Sequence, residues 1–409
     1  MKIKIKQKVH LDVSMILLCA YILFGYICQK TLLPTTILSA SLYVFIVWNV
    51  FRIFREGKAR LKTFTQWQLA MVLYSALSML WGIQAETGTL YTMFVSLVLT
   101  FCLLNTVDSL RKVEQCMLTY VVASVVMGVL LVITGQIRMD LSARLGEEIT
   151  GNANSFAALL MVAAMYAGWF AVYRTGWLRV FCLASLVLLY FMMGLSGGRK
   201  VLIVVMLNLV WYIMAKDMSR LKKIVRNIAL VFVVLAAAYK AVMEIPVLYE
   251  LIGSRFENLF LMILSGEGVT RGDQVRKQMV QIGLERWLDS PLVGYGLNTF
   301  KYYNAQMTGY FFYAHNNYVE LLYDLGLVGL VLYYGFYVYV ARVLWHLRGK
   351  FRQYKILGLG ILGALLVYDV GGISFYTVLI QVVLSLVSCM ATVLYEMQTD
   401  FERTIDSVR

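Results

Sequence analysis

Twelve times along this chain the sequence stays apolar for long enough to cross a lipid bilayer. A span needs about 17–25 apolar residues. The runs lie at 11–28, 33–51, 66–83, 88–105, 116–134, 153–173, 178–196, 200–215, 225–243, 318–341, 356–371 and 374–396. Lipid offers no partner to a free backbone N–H or C=O, so such runs fold as helices. The expected fold is therefore an all-α integral membrane protein with about 12 transmembrane helices, one polytopic domain over residues 1–409. Composition agrees, with 60% of residues hydrophobic and 15% charged. A soluble domain would carry about a quarter charged residues. Three prolines leave long helices with few interruptions.

Charge sets an orientation. With the N-terminus inside, the segments that fall inside hold 25 of the 37 Lys and Arg, which satisfies the positive-inside rule. An even number of spans puts both termini in the cytoplasm. The net charge of +14 is explained in this way and needs no nucleic acid. Lys2, Lys4, Lys6 and Lys8 precede the first run. No small-residue cleavage site follows, so this reads as a retained first span. Lys200 and Lys216 snorkel from the ends of the short eighth span. The last two spans part at a tight outer turn over Asp369, Val370, Gly371 and Gly372. The six cysteines show no Cys-x-x-Cys or Cys/His spacing, so neither disulfides nor zinc are expected.

Two outer regions are long. One is 135–152. The other runs from Glu244 to Ala314, 71 residues between spans nine and ten, too polar to cross and too long for a plain connector. Within it Val275, Met279 and Ile282 recur at helical spacing among Arg276, Lys277, Gln278 and Gln281. This predicts an amphipathic helix at 272–288, lying over the bundle or on the membrane surface. Ser290-Pro291 ends it.

The seam between this loop and the tenth span concentrates reactive side chains. It reads His315, Asn316, Asn317, Tyr318, Val319, Glu320, then Asp324 and Gly326, with no charge from Leu325 to Ala341. Ionisable groups at the mouth of a span are costly to bury and mark function. His315 is the one outer histidine, His10 and His346 falling in inner segments. A neutral imidazole can take a proton near neutral pH; a helix cap or interfacial anchor would also suit the position.

The pattern H-N-x-x-x-E-x-x-x-x-x-G-x-x-G resembles the O-antigen ligase / O-antigen polymerase family. So does Pro291-Leu292-Val293-Gly294-Tyr295-Gly296-Leu297-Asn298-Thr299-Phe300, which follows "P-x-x-G-x-G-x-x-x-F". Arg144-Leu145-Gly146 and Gly151-Asn152-Ala153-Asn154 resemble "R-x-G … N-P-N", with Ala153 in place of proline. The resemblance spans about residues 140–330. It implies a GT-C-like bacterial enzyme of the cytoplasmic membrane with its site facing outward. The donor would be an undecaprenyl-pyrophosphate-linked oligosaccharide, and the acceptor a second lipid-linked unit or the lipid A core. A chain-length regulator and a flippase are further partners to look for. By the same resemblance His315 is catalytic, with Arg199 beside it and at least one arginine of the large loop in use.

Physical chemistry supports cations at the donor, because charge grows on the leaving oxygens at the transition state. Arg199 follows Gly197 and Gly198 at the outer start of span eight, where helix N–H groups face an anion. A second glycine replaces the serine that the family usually has before that arginine. A headgroup anchor is the other reading. Arg144 and, among Arg255, Arg271, Arg276 and Arg286 of the loop, Arg276 or Arg286 are the further candidates. Asn154 either binds sugar or phosphate or caps its helix. Asn316, Glu320 and Tyr313 complete the expected substrate-binding set. Tyr302, Tyr303, Tyr310, Phe311, Phe312 and Tyr313 crowd before His315, and fit sugar faces or an interfacial aromatic belt alike.

No outer loop holds an Asp-x-Asp or Asp-Asp pair to grip a divalent ion, so arginines are expected to replace a metal, and no cofactor is expected. Polymerisation of repeat units is favoured over ligation, since the outer loops lack the dense basic cluster a phosphate-rich core would call for. The rival without catalysis is a flippase. Transporters place ionisable groups at mid-membrane, whereas here they sit at span ends.

Overall fold

In a computed structural model, residues 12–57, 59–137, 144–197, 199–216, 221–246, 249–254, 257 and 271–408 are described. The side chains of some helical residues, Arg199 among them, lie outside the description, as do His10, Arg138 and Arg255 altogether. The described residues form helices and no strand. They are α1 Val13–Ile27, α2 Thr35–Glu56, α3 Thr63–Ser78, α4 Thr87–Leu104, α5 Leu110–Ile133, α6 Glu147–Thr150, α7 Ala153–Tyr173, α8 Gly176–Ser196, α9 Arg199–Lys216 and α10 Leu221–Glu244. There follow α11 Arg271–Trp287, α12 Phe300–Thr308, α13 Asn317–Trp345, α14 Arg352–Tyr368 and α15 Val378–Val408.

Seven of these, α2, α4, α5, α7, α8, α13 and α15 as far as Asp400, are long and apolar enough to cross a membrane, and α1 is a shorter apolar helix. The chain is a multi-pass membrane protein. Each of the twelve apolar runs coincides with a helix. The helices α1, α3 and α14 are shorter, at 15, 16 and 17 residues, and α9 and α10 are 18 and 24 residues long.

α7 is the bundle's central helix, buried along nearly its whole length against α5, α8, α9 and α14. Its alanines and Gly168 permit the close approach that packing between membrane helices depends on. Gly168 faces Leu209 and Tyr212 of α9. Around this centre α1 packs on α2 and α5, α3 on α4 and α13, and α15 on α4, α13 and α14.

α13 is broken in a specific way. Asn316 caps it, its side-chain oxygen accepting from the N–H groups of Tyr318 (3.0 Å) and Val319 (3.2 Å). At Gly326 the backbone turns to φ 62°, ψ −165°, and the helical ladder stops. The carbonyls left over are taken by the segment 291–296. Tyr295 N–H donates to Tyr323 O (2.9 Å) and Gly296 N–H to Asp324 O (2.8 Å). Beyond the kink, Leu327 N–H donates to Pro291 O (2.9 Å) and Val328 N–H to Leu292 O (3.2 Å). The segment is a strap laid into the kink, with every exchanged bond made by main chain. Glycine is required at Gly326, where a Cβ would lie 2.3 Å from the Leu292 carbonyl, and at Gly296, where it would lie 2.4 Å from Gly82 Cα.

The amphipathic helix appears as α11, and it lies over the bundle. Met279 is buried and Gly283 abuts Val319 and Phe300, so the helix rests on the first turns of α13. The turn at 369–372 is also present, with Gly371 and Gly372 N–H donating to Tyr368 O.

Candidate functional site

His315 sits in the turn between α12 and α13 with φ +53°, in the left-handed region that non-glycine residues avoid. Such strain persists where the surroundings over-determine it. Here two side chains do so. On one side is the Asn316 cap. On the other, Glu320 Oε2 accepts the N–H of Ala314, the residue just before His315, at 2.6 Å. Glu320, expected to bind substrate, is completely buried, and Asn316, expected there too, caps α13. Both bind backbone N–H groups that flank the histidine. Glu320 Oε1 is buried without a hydrogen-bond partner.

Burial lowers the His315 pKa to about 4, and the charge of Arg276 pushes the same way. At neutral pH the ring is therefore uncharged. Tyr313 lies with its ring centroid 4.2 Å from the imidazole. Burial raises the Tyr313 phenol and the Glu320 carboxylate adds to this, while Arg276 opposes. Arg276 thus acts on both residues. Arg286 does not join them. It is paired with Asp289 Oδ2 at 2.7 Å and lies over the rings of Tyr295 (4.9 Å) and Tyr303 (5.8 Å).

One turn beyond Glu320, Asp324 performs the same service for the loop. Its carboxylate accepts the N–H groups of Asn298 (2.8 Å), Thr299 (3.0 Å) and Phe300 (3.0 Å), fixing the start of α12. Asn298 is itself at φ +54°. Glu86, in the short connector before α4, anchors the other side. It accepts from Tyr302 Oη (2.6 Å) and Lys301 Nζ (2.9 Å), and Asn298 Nδ2 stands at 3.4 Å. Burial would raise the Glu86 carboxyl, but the hydrogen bonds from Tyr302 and Lys301 prevail and hold it below its ordinary value. Sequence reasoning passed over Glu86. The available signal was that it is the sole charged residue between α3 and α4.

A second group of expected residues gathers where α8 meets α9. Arg144 Nε donates to Ser196 O at 2.9 Å and its terminal nitrogen to Asn154 Oδ1 at 3.3 Å, with Glu147 at 4.0 Å. Asn154 is not the helix cap. Asn152 is, accepting from Asn154 N–H at 2.8 Å. Arg199 opens α9 three residues after Ser196. The turn after α14 stands between the two groups. Lys200 Nζ lies against Gly371, 3.1 Å from where a Cβ would begin. From the His315 side, Asn317 Oδ1 accepts the N–H groups of Ser374 (2.8 Å) and Phe375 (3.2 Å).

Residues 184–334 match the family model described as O-antigen ligase. The matched region runs from the middle of α8 to the middle of α13 and contains Arg199, Arg276 and His315, leaving Arg144 and Asn154 before it. No curated protein matches the chain.

Proposed function

From the O-antigen ligase family domain that this chain carries, we propose a glycosyltransferase that polymerises undecaprenyl-pyrophosphate-linked oligosaccharides at the outer face of the bacterial cytoplasmic membrane. The twelve helices that coincide with the apolar runs span, both termini are cytoplasmic, and the His315 end faces outward. The observation that carries this reading is a neutral imidazole held in a strained turn, with the charge of Arg276 acting on it.

The chemistry follows from those groups. Arg199, with Arg144 or Arg276, holds the pyrophosphate of the donor. His315 accepts the proton of the acceptor hydroxyl as that oxygen bonds to the anomeric carbon. The bond from that carbon to phosphate breaks, and the lipid pyrophosphate leaves with the electron pair, so configuration inverts. The pyrophosphate also tunes the base. Its negative charge offsets Arg276, removing the repulsion that lowers proton affinity at His315. The base is thereby strengthened when donor is bound. Arginines supply the charge stabilisation that a divalent ion gives other transferases, and transfer in detergent is expected to survive a strong chelator. Loss restored by magnesium or manganese would overturn that.

Polymerisation is preferred to ligation because several cations at this end are already engaged, Lys301 by Glu86, Arg286 by Asp289 and Arg144 by Ser196. They form no open basic field for a phosphate-rich core. Glycan analysis of a deletion strain separates the two. Single repeats still attached at the surface with long chains lost means polymerase; loss of all attachment means ligase.

A further inference from the structure

The aromatic segment before His315 is built, not merely exposed. Gly309, at φ +78°, ends α12 and turns the chain into Tyr310, Phe311, Phe312 and Tyr313. Asn304, completely buried, donates from one amide to the carbonyls of both Tyr310 (2.8 Å) and Phe312 (3.2 Å). This fixes the backbone so that Phe311 and Phe312 remain more than half exposed, at 54% and 53%. Phe311 is braced edge-on by Tyr302 at 5.1 Å, with Lys301 Nζ 5.6 Å from its ring. Phe312 comes within 6.5 Å of the His315 ring.

What covers these rings is decided by their neighbours. A membrane-interface belt favours the amphipathic rings of Trp and Tyr, whereas the two rings that stand out most here are the phenylalanines Phe311 and Phe312. Residues 309–313 hold no aliphatic side chain, and the rings stand beside the Lys301–Glu86 ion pair and the Asn304 amide. Flat apolar faces flanked by polar groups suit a ligand with apolar faces and polar edges. A pyranose ring is such a ligand. Resting on the proposed glycosyl transfer, the geometry points to Phe311 and Phe312 as a sugar-stacking subsite. It holds the glycan unit next to the one reacting at His315.

The test uses the purified full chain in detergent and, as probe, the free repeat-unit oligosaccharide released by mild acid from the host's own surface glycan. Binding is read by saturation-transfer NMR for the wild type, the Phe311→Leu/Phe312→Leu double variant, the matching pair of Tyr variants, and His315→Ala. Wild type, the Tyr pair and His315→Ala should bind alike. The Leu pair, with rings removed but apolar bulk kept, should bind roughly tenfold more weakly at an unchanged melting temperature. Equal binding by the Leu pair, or none by wild type, overturns the subsite. No transfer from a lipid-linked donor by the wild type would instead bring down the transferase reading, and the binding comparison would still stand.

Discussion

Replacing Glu320 separates a clamp from a reacting group. Its carboxylate takes the Ala314 N–H at 2.6 Å, inside the protein. Removing that acceptor leaves a buried N–H unpaired, at a cost of about 1–3 kcal/mol. The left-handed backbone of His315 costs about 1–2 kcal/mol on its own. The lost bond is comparable to the strain it opposes, so in Glu320→Leu the turn relaxes. The imidazole then occupies its present place about 5- to 30-fold less often. That factor should appear in kcat, since the KM for donor depends on arginines elsewhere. Glu320→Gln keeps an oxygen at the same reach and should hold kcat within about threefold. The assay is turnover of a lipid-linked donor in detergent, alongside melting curves. Gln falling as far as Leu would show that charge, not position, matters. Wild-type kcat in a folded Leu variant would remove the clamp from the account.

Three other outcomes are expected. His315→Ala should lose transfer by about 10²–10⁴-fold, and in wild type the acid limb of kcat/KM should fall near pH 4. The neutral ring is present above that pH and lost as pH drops through it. The limb in kcat should lie higher, because donor offsets Arg276, and a kcat/KM limb at pH 6.5 would contradict the burial. Arg199→Lys should insert normally yet bind lipid pyrophosphate about 1–3 kcal/mol more weakly, since charge is kept and the paired donors are lost; wild-type turnover would leave only an anchoring role. Gly326→Ala should fail to accumulate or should melt well below wild type, because its Cβ meets the Leu292 carbonyl at 2.3 Å, and a wild-type melting curve would refute the strap.

The helices were legible because lipid imposes their length and their polarity on the sequence directly. The turn at 369–372 and the helix over 271–287 were legible for similar local reasons, glycines in one and period in the other. The candidate site was less so. His315 could be picked out, but the choice between Arg276 and Arg286 depended on what each meets in space. Glu320 looked like a substrate ligand because an ionisable group at a span mouth is unusual. Its partner, the backbone of Ala314, carries no side-chain signal. Glu86 binds residues more than two hundred positions away, and Asn154 yielded the cap to Asn152 through a backbone detail no pattern encodes. Contacts to main chain, and contacts across long loops, leave little trace in a single sequence.

The strap has a bearing on how such sequences can drift. All four of its exchanged bonds run between backbone atoms, and these are blind to the side chains that flank them. Leu292 and Val293 point outward and could be exchanged for many residues without touching the ladder. One residue added or removed between Pro291 and Gly296, or between Tyr323 and Val328, would slide every donor past its acceptor and lift the Asn298–Phe300 amides away from Asp324. Descendants of this chain are therefore free in their letters along this stretch, its buried-backbone glycines Gly294, Gly296 and Gly326 apart, and bound in their count.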